Sequence, residues 1–458
     1  MNGAEPAARE RRGILQRLGL HRPELRAWAM YDWAASAFQT TIMVAVFPIY
    51  FIRVAGAGGP EVVASQWWGY ANSAAIAIVA LLSPVLGAIA DFSASKKRFL
   101  GSFAGLGVAA VAGMYFIQRG DLVLAAFLYL VASVAAAGSF VFYESLLPHI
   151  AREDEVDQVS TSGYAFGYVG GGILLALNLA WIQKPELFGI PAGTLPARLS
   201  FLSVAVWWAV FSIPLLRRVP EPPRLIEADE SPARGAVRAA FSRLAETFHE
   251  LRGYKNAFLL LLAFLLYNDG IATIQKMAVP YGTELGIPEA VLIGSILLVQ
   301  FVGIPFAFLF GMLAGRIGAK RSILLGLVVY VAISLVGFNM RTGRDFLVLA
   351  LMVGMVQGGT QALSRSLFAT MIPRHKSGEF FGFFSVFSKF AGIFGPLLFA
   401  AVIGQTGSSR YGILSVIAFF VSGALLLMLV DPAEGERAAR EAEAAVRVVD
   451  DSETAVAG

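Results

Sequence analysis

The feature that most constrains this chain is a series of twelve mostly apolar segments, each long enough to cross a lipid bilayer. A helix that crosses the hydrocarbon region needs about 20 such residues. At that depth backbone polar groups must find partners within the protein, and continuous apolar runs such as 259–266 lack the alternation of a membrane β-strand. We therefore predict twelve helical spans, at 27–52, 66–90, 99–117, 121–147, 159–182, 199–216, 257–283, 290–314, 321–339, 346–371, 380–404 and 411–430.

The composition narrows the function classes. Only 15% of the residues are charged, against about 25% in soluble domains. The net charge of +4 is too small and dispersed for a nucleic-acid-binding surface. The chain has no Cys and four scattered His, which argues against a metal site. No phosphate-binding loop and no nucleophile–base set is present, so we expect neither a cofactor nor an enzyme.

Polar stretches divide the chain into two groups of six spans. The divisions are an N-terminal tail (1–26), a first half (27–216), a linker (217–256), a second half (257–430) and a C-terminal tail (431–458). If both termini are cytoplasmic, the cytoplasmic segments hold 26 Lys and Arg and the opposite loops hold 7. Cytoplasmic loops of membrane proteins are enriched in these residues. The sequence therefore predicts a multi-pass protein of the cell membrane (inner or plasma membrane) with both termini in the cytoplasm.

An internal repeat relates the two halves. The segment 87–98 after span 2 has a glycine and a basic cluster that recur in 311–321 after span 8, 224 residues later. Leu147-Pro148 at the end of span 4 corresponds to Ile372-Pro373 at the end of span 10, 225 residues later. The sequence therefore predicts an all-α membrane protein with twelve transmembrane helices in two parallel six-helix halves.

The repeated loop resembles the cytoplasmic loop signature of the major facilitator superfamily. Further segments are similar to the vacuolar-effluxer-like branch of that superfamily, which includes fungal vacuolar amino-acid effluxers: Tyr31–Phe38, Gly167–Gly172, Tyr267–Gly270 and, most specifically, Gly358–Leu367. The resemblance implies the major facilitator fold, in which spans 1, 4, 7 and 10 line a central cavity. It also implies that the chain is a permease.

Six ionisable side chains lie inside the predicted spans. Such groups cost about 2.5–3.5 kcal/mol at the centre of the bilayer on insertion scales, and they usually face the interior of a helical bundle. The six comprise three acids and three bases, which favours pairing among them: Asp32, Glu144, Asp269, Lys276, Arg365 and Lys389.

One hypothesis assigns an inner gate between the halves to Arg365, paired with either Asp32 or Glu144. Glu144 stands where the family pattern has a small amide residue. The alternative is a static ion pair within one half. Asp91 belongs to the gate as a charge latch, because its counterpart in the repeat is a glycine. His149, near a loop, is expected to be solvated.

A second hypothesis places a site for substrate or protons near the membrane midplane, at Asp269 and Lys389. The segment 267–270 disfavours a helix and predicts a break in span 7. The alternative is a neutralised pair that only holds two spans together. Polar helix faces add Asp32, Gln39 and Gln361 to the candidate residues for substrate binding or coupling.

We therefore expect a secondary active transporter that moves a small solute by alternating access and is coupled to protons. A cavity with charges of both signs suits amino acids or related zwitterions. The expected partners are this substrate, protons and membrane lipids, with no nucleic acid, and the chain is expected to be a monomer. The alternatives are a membrane sensor or scaffold that retains the permease fold, and an exporter of lipid-like amphiphiles.

Overall fold

Long helices make up nearly all of the computed structural model, which describes residues 13–59, 61–92, 94–223, 225–226, 249–444 and 447–448. Within these ranges eleven helical segments are long and apolar enough to cross a membrane, and one bent segment makes a twelfth. The only sheet in them is a two-residue antiparallel pair, Leu225–Ile226 with Arg447–Val448. The prediction of an all-helical bundle is therefore confirmed.

Span 1 joins two α-helical and two π-helical segments, and the later spans are mostly α-helices. Two of those spans, 11 and 12, are each made of two helices. The bounds are Pro23–Ala37, Phe38–Ala45, Phe47–Tyr50 and Phe51–Ala55 (span 1), Glu61–Phe92 (2), Lys96–Gly113 (3), Leu122–Ser145 (4), Val156–Gln183 (5), Leu195–Arg218 (6), Lys255–Glu284 (7), Glu289–Ile317 (8), Ala319–Asn339 (9), Gly343–Thr370 (10), Ser377–Phe390 and Phe394–Thr406 (11), and Ser409–Ser415 and Ile417–Leu429 (12). Short helices outside these spans are Ile14–Arg17, Met114–Phe116, Leu147–Ile150, Pro185–Phe188, Arg374–Lys376 and the C-terminal helix Pro432–Ala444.

Local sequence explains where several spans begin and bend. Pro23 opens the first helix, where its fixed φ suits a helix start and its missing N–H is not needed. Thr342 and Asp345 form a reciprocal capping box at the start of span 10. Span 1 bends by 42° between Ala45 and Phe47, next to Pro48, which cannot donate a backbone hydrogen bond.

The predicted break in span 7 is wrong, because Lys255–Glu284 is one continuous helix. Neighbouring side chains satisfy the polar groups of this segment. The hydroxyl of Tyr267 lies 2.6 Å from that of Ser364, and Gln361 donates to the amide oxygen of Asn268 at 3.2 Å. The break lies instead in the neighbouring span 11.

The repeated glycines mark equivalent contacts between the halves. A Cβ atom added to Gly87 in span 2 would lie 2.1 Å from the carbonyl oxygen of Gly378 in span 11. One added to Gly311 in span 8 would lie 2.2 Å from the hydroxyl of Thr161 in span 5. Glycine lets helices approach closely enough to make such contacts. The duplication read from the sequence therefore appears as two matching helix–helix contacts.

Both contacts lie toward one end of the bundle, which we name the terminal end because residues 13–22 and the C-terminal helix pack there. Ser162 donates to the carbonyl oxygen of Leu18, and Arg440 lies 2.9 Å from Glu153 in the first half. The predicted domain limits remain predictions, and most of the linker, residues 227–248, lies outside the described residues.

Two neighbouring glycines of span 5 provide a test of this packing. A Cβ on Gly170 would lie 2.3 Å from the backbone oxygen of Trp33, whereas one on Gly172 would meet its nearest atom, in Gln300, at 3.6 Å. We expect Gly170→Ala to lower the melting temperature in detergent, because overpacking costs about 1–3 kcal/mol. Gly172→Ala gains helix propensity without a clash and should leave stability unchanged or higher. Equal melting temperatures for the two variants would contradict the packing described here.

Candidate functional site

A cavity of about 560 Å³ lies between the two halves. Four spans of each half line it, namely 1, 2, 4 and 5 of the first and 7, 8, 10 and 11 of the second. Amide side chains are prominent in its wall: Gln39, Asn72, Asn268, Gln275, Gln300, Gln357 and Gln361. The four spans that the resemblance assigned to a central cavity are all among those that line it.

An ion pair between the halves closes the terminal side of this cavity. A guanidinium nitrogen of Arg365 in span 10 lies 3.5 Å from the carboxylate of Asp32 in span 1. Arg365 is 1% exposed and also donates to the hydroxyl and the carbonyl oxygen of Ser160, at 3.0 and 2.8 Å. Tyr143 donates to the same oxygen of Asp32 at 2.7 Å. Of the two expected partners, Asp32 is therefore the one that pairs with Arg365, and the contact crosses between the halves.

Three aromatic rings surround the Arg365 guanidinium, and none of them was among the predicted site residues. Its central carbon lies 4.9 Å from the ring of Trp28, 5.6 Å from that of Tyr143 and 4.7 Å from that of Tyr164. A desolvated cation–π contact contributes about 2 kcal/mol. The available signal was Trp28, one helical turn before Asp32 on the same face of span 1.

The predicted latch at Asp91 makes an ion pair within its own half and a hydrogen bond to the other half. Its carboxylate lies 2.7 Å from the ammonium of Lys96 and accepts from the backbone N–H of Glu379 at 2.9 Å. That N–H belongs to the first turn of span 11, where the helix dipole favours an anion. Lys96 also donates to the hydroxyl of Ser377 in the second half at 2.6 Å.

His149, which was expected to be solvated, is only partly exposed and contacts both halves. The short helix Leu147–Ile150 places it between the halves, where its Nε2 lies 2.9 Å from the ammonium of Lys96 and 3.2 Å from the hydroxyl of Ser377. Nine hydrogen bonds between the halves lie on the terminal side of the cavity. The cavity is therefore sealed at the terminal end.

Asp269 is buried beside span 11 and does not line the cavity. One carboxylate oxygen accepts from the backbone N–H groups of Gly392 and Gly395 at 2.6 and 3.0 Å, and the other accepts from Phe394 at 3.1 Å. Gly392 has φ +95°, a conformation that favours glycine. Lys276 donates to the carbonyl oxygen of Gly392 at 3.0 Å. These contacts hold the break between the two helices of span 11.

The structure does not pair Asp269 with Lys389, which points into the cavity instead. Gln39, Gln361, Asp32, Arg365 and Glu144 also line the cavity, so most of the candidate residues come together there. Asp91 does not line the cavity and lies among the contacts that close its terminal side. The roles assigned to these residues remain predictions.

Replacing Asp269 with asparagine tests whether its three backbone hydrogen bonds stabilise the break in span 11. The amide group cannot accept all three backbone hydrogen bonds, and a charged partner contributes about 1.5–3 kcal/mol per bond. We expect Asp269→Asn to lower the stability of the detergent-solubilised protein by about that amount. The matched control is Asp121→Asn, whose carboxylate accepts from the backbone of Gln118 at an exposed position. If Asp269→Asn loses no more stability than the control, the hydrogen bonds to Asp269 do not stabilise span 11.

Comparisons with known proteins agree with this architecture. A family model described as vacuole effluxer Atg22 like matches residues 21–440. An uncharacterised MFS-type transporter of Bacillus subtilis (strain 168), YxiO, is 36% identical over 406 residues, covering 88% of this chain and 94% of that protein. Autophagy-related protein 22 of Yarrowia lipolytica is 29% identical over 312 residues, covering 62% of this chain and 52% of that protein.

The solved structure of the major facilitator transporter FucP in the outward conformation has the same fold. Its TM-score is 0.66 at 12% sequence identity, and the match covers 90% of this chain and 100% of that one. The chain therefore belongs to the vacuole effluxer Atg22-like family and is a multi-pass membrane transporter of the major facilitator type.

Proposed function

We propose that the chain is a secondary active transporter that moves amino acids or related small zwitterions by alternating access. The observation that carries this proposal is the cavity between the two halves, whose wall combines amide groups with charges of both signs. A binding site for a small solute is typically a cleft with a few convergent polar groups. The name of the Atg22-like family, an effluxer family, also supports transport of a small solute.

The chemistry of the wall suits a polar substrate better than an apolar one. A zwitterion loses strong hydration when it enters a cavity, so the protein must supply both donors and acceptors in place of water. Amide side chains such as Gln39, Gln300 and Gln357 offer both. A lipid-like amphiphile would need an apolar wall for its chains, which favours the zwitterion.

The gate hypothesis follows from where the contacts between the halves lie. The Asp32–Arg365 ion pair and the Asp91 latch close the terminal side, and both join one half to the other. In our account these contacts separate when the halves rock, so that the cavity opens at the terminal end. Rocking of two repeats around a central site is how transporters of this architecture alternate access.

The distribution of Lys and Arg supports a cytoplasmic terminal end, and the similarity to a bacterial transporter supports residence in the plasma membrane. In that orientation, the cavity described here is closed to the cytoplasm. We assign the driving force to a proton gradient, because carboxylates at Asp32 and Glu144 border the cavity at membrane depth. We propose that the transporter works as a monomer surrounded by membrane lipids.

The test is ligand binding followed by uptake. We expect particular L-amino acids to raise the melting temperature of the purified protein, since a ligand that binds only the native state stabilises it by mass action. In proteoliposomes the same amino acids should accumulate when a pH gradient is imposed. When an ionophore removes the pH gradient, the concentration of the amino acid inside the vesicles should rise no higher than the concentration outside.

Stabilisation by phospholipids alone would favour amphiphile export instead. A protein that no small solute stabilises and that transports none would be a sensor or scaffold, and would overturn the proposal. Uptake that is indifferent to the pH gradient would overturn proton coupling only.

A further inference from the structure

Four of the six ionisable side chains inside the spans have partners in the protein. Arg365 pairs with Asp32, Asp269 accepts three backbone hydrogen bonds from span 11, and Lys276 donates to the carbonyl oxygen of Gly392. The protein therefore compensates most of the charge that it places at membrane depth.

Glu144 and Lys389 are the exceptions. In the part of the chain that the structure describes, neither makes a hydrogen bond or an ion pair, although both line the central cavity and are half-buried. Glu144 lies on span 4 of the first half and Lys389 on span 11 of the second half. The two side chains therefore belong to different halves, and in the described structure they form no ion pair with each other.

A pair of uncompensated charges in a membrane protein is costly. The cost is recovered when a ligand brings the matching charges. Because the two groups have opposite signs and face one cavity, a ligand with a single charge would match one group and leave the other unpaired. A zwitterion matches both.

The neighbouring charges leave this pair available. The Asp32 carboxylate and the Arg365 guanidinium near Glu144 are bound to each other. The ammonium of Lys276, the other cation in the wall near Lys389, is held on the carbonyl oxygen of Gly392. Among the described residues of the cavity wall, Lys389 is therefore the cation that remains available to bind a substrate carboxylate.

We propose that Glu144 binds the ammonium group and Lys389 the carboxylate of the substrate, which places the two poles of the zwitterion on opposite halves. This inference rests on the proposed transport of zwitterions. It moves Glu144 from the predicted gate into the substrate site. A bound substrate then links span 4 to span 11 across the cavity, so that binding draws the halves together.

The test compares each stabilising L-amino acid with its methyl ester, which lacks the carboxylate, and its N-acetyl derivative, which lacks the ammonium group. Dissociation constants come from thermal-shift titrations of the full-length protein in detergent. For the wild type we expect each derivative to bind at least about tenfold more weakly than the parent amino acid, because one charge-assisted contact is lost.

Two substitutions assign the poles. In Lys389→Gln the parent and its methyl ester should bind within about twofold of each other, while discrimination against the N-acetyl derivative persists. Glu144→Gln should show the reverse pattern. The matched control is Lys276→Gln, which removes a cation from the same cavity wall and should keep both discriminations. Each variant serves as its own reference, so a change in basal melting temperature does not affect the comparison.

The outcomes separate the two proposals. If no amino acid stabilises the wild type, the proposed function fails, and this inference fails with it. If an amino acid binds but the wild type accepts both derivatives equally well, or the two variants keep the wild-type pattern, only the assignment of the poles is overturned. The wild-type comparison can still overturn the assignment if a variant fails to fold, because a wild type that accepts both derivatives recognises neither pole.

Discussion

The guanidinium of Arg365 is buried between the two halves and needs a negative charge beside it, which Asp32 provides. The other contacts that close the terminal side of the cavity depend on this ion pair. Removing one partner of a buried ion pair costs about 3–5 kcal/mol, because the other charge is left uncompensated. Here the partners belong to different halves, so the cost would fall on any state in which the halves separate without replacing the contact. Tyr143 and Ser160 hold the two groups in position, and three rings exclude water from the cation.

Close helix approach makes this seal possible. The glycines at 87 and 311 bring the backbones of spans 2 and 11, and of spans 8 and 5, near enough for short polar contacts. Those polar contacts lie on one side of the cavity. A transporter must break them in every cycle, and hydrogen bonds and ion pairs can separate when water or a new partner replaces the contact that is lost.

The sequence predicted the features that depend on local pattern or on repetition. Apolar runs revealed the spans, and the repeat around Gly87 and Gly311 revealed two parallel halves. Contacts between a span and a neighbouring helix could not be predicted from the sequence. Spacing along span 7 showed that Asp269 faces inward, but not that its partners are the backbone N–H groups of span 11. The helix-breaking segment 267–270 was misleading because residues on spans 10 and 11 satisfy its polar groups.

The same limit explains the candidate site. Charge and depth identified Arg365, Glu144 and Lys389 as unusual, yet only the packing shows which of them has a partner. Arg365 meets Asp32, whereas Glu144 and Lys389 line the cavity without a partner in the described structure. His149 was missed because a short helix after span 4 carries it between the halves. Position within a sequence cannot distinguish a solvated loop from a loop folded into an interface.

The most direct measurement of the central claim is the distance between the halves at each end of the bundle, read from pairs of spin labels. The chain has no native Cys, so labels can be placed by Arg98→Cys with Arg321→Cys at the terminal end, and by Arg119→Cys with Arg341→Cys at the opposite end. We predict that Arg365→Gln lengthens the terminal-end distance and shortens the opposite one. Distance distributions that match the wild type at both ends would contradict the claim that this ion pair holds the transporter closed.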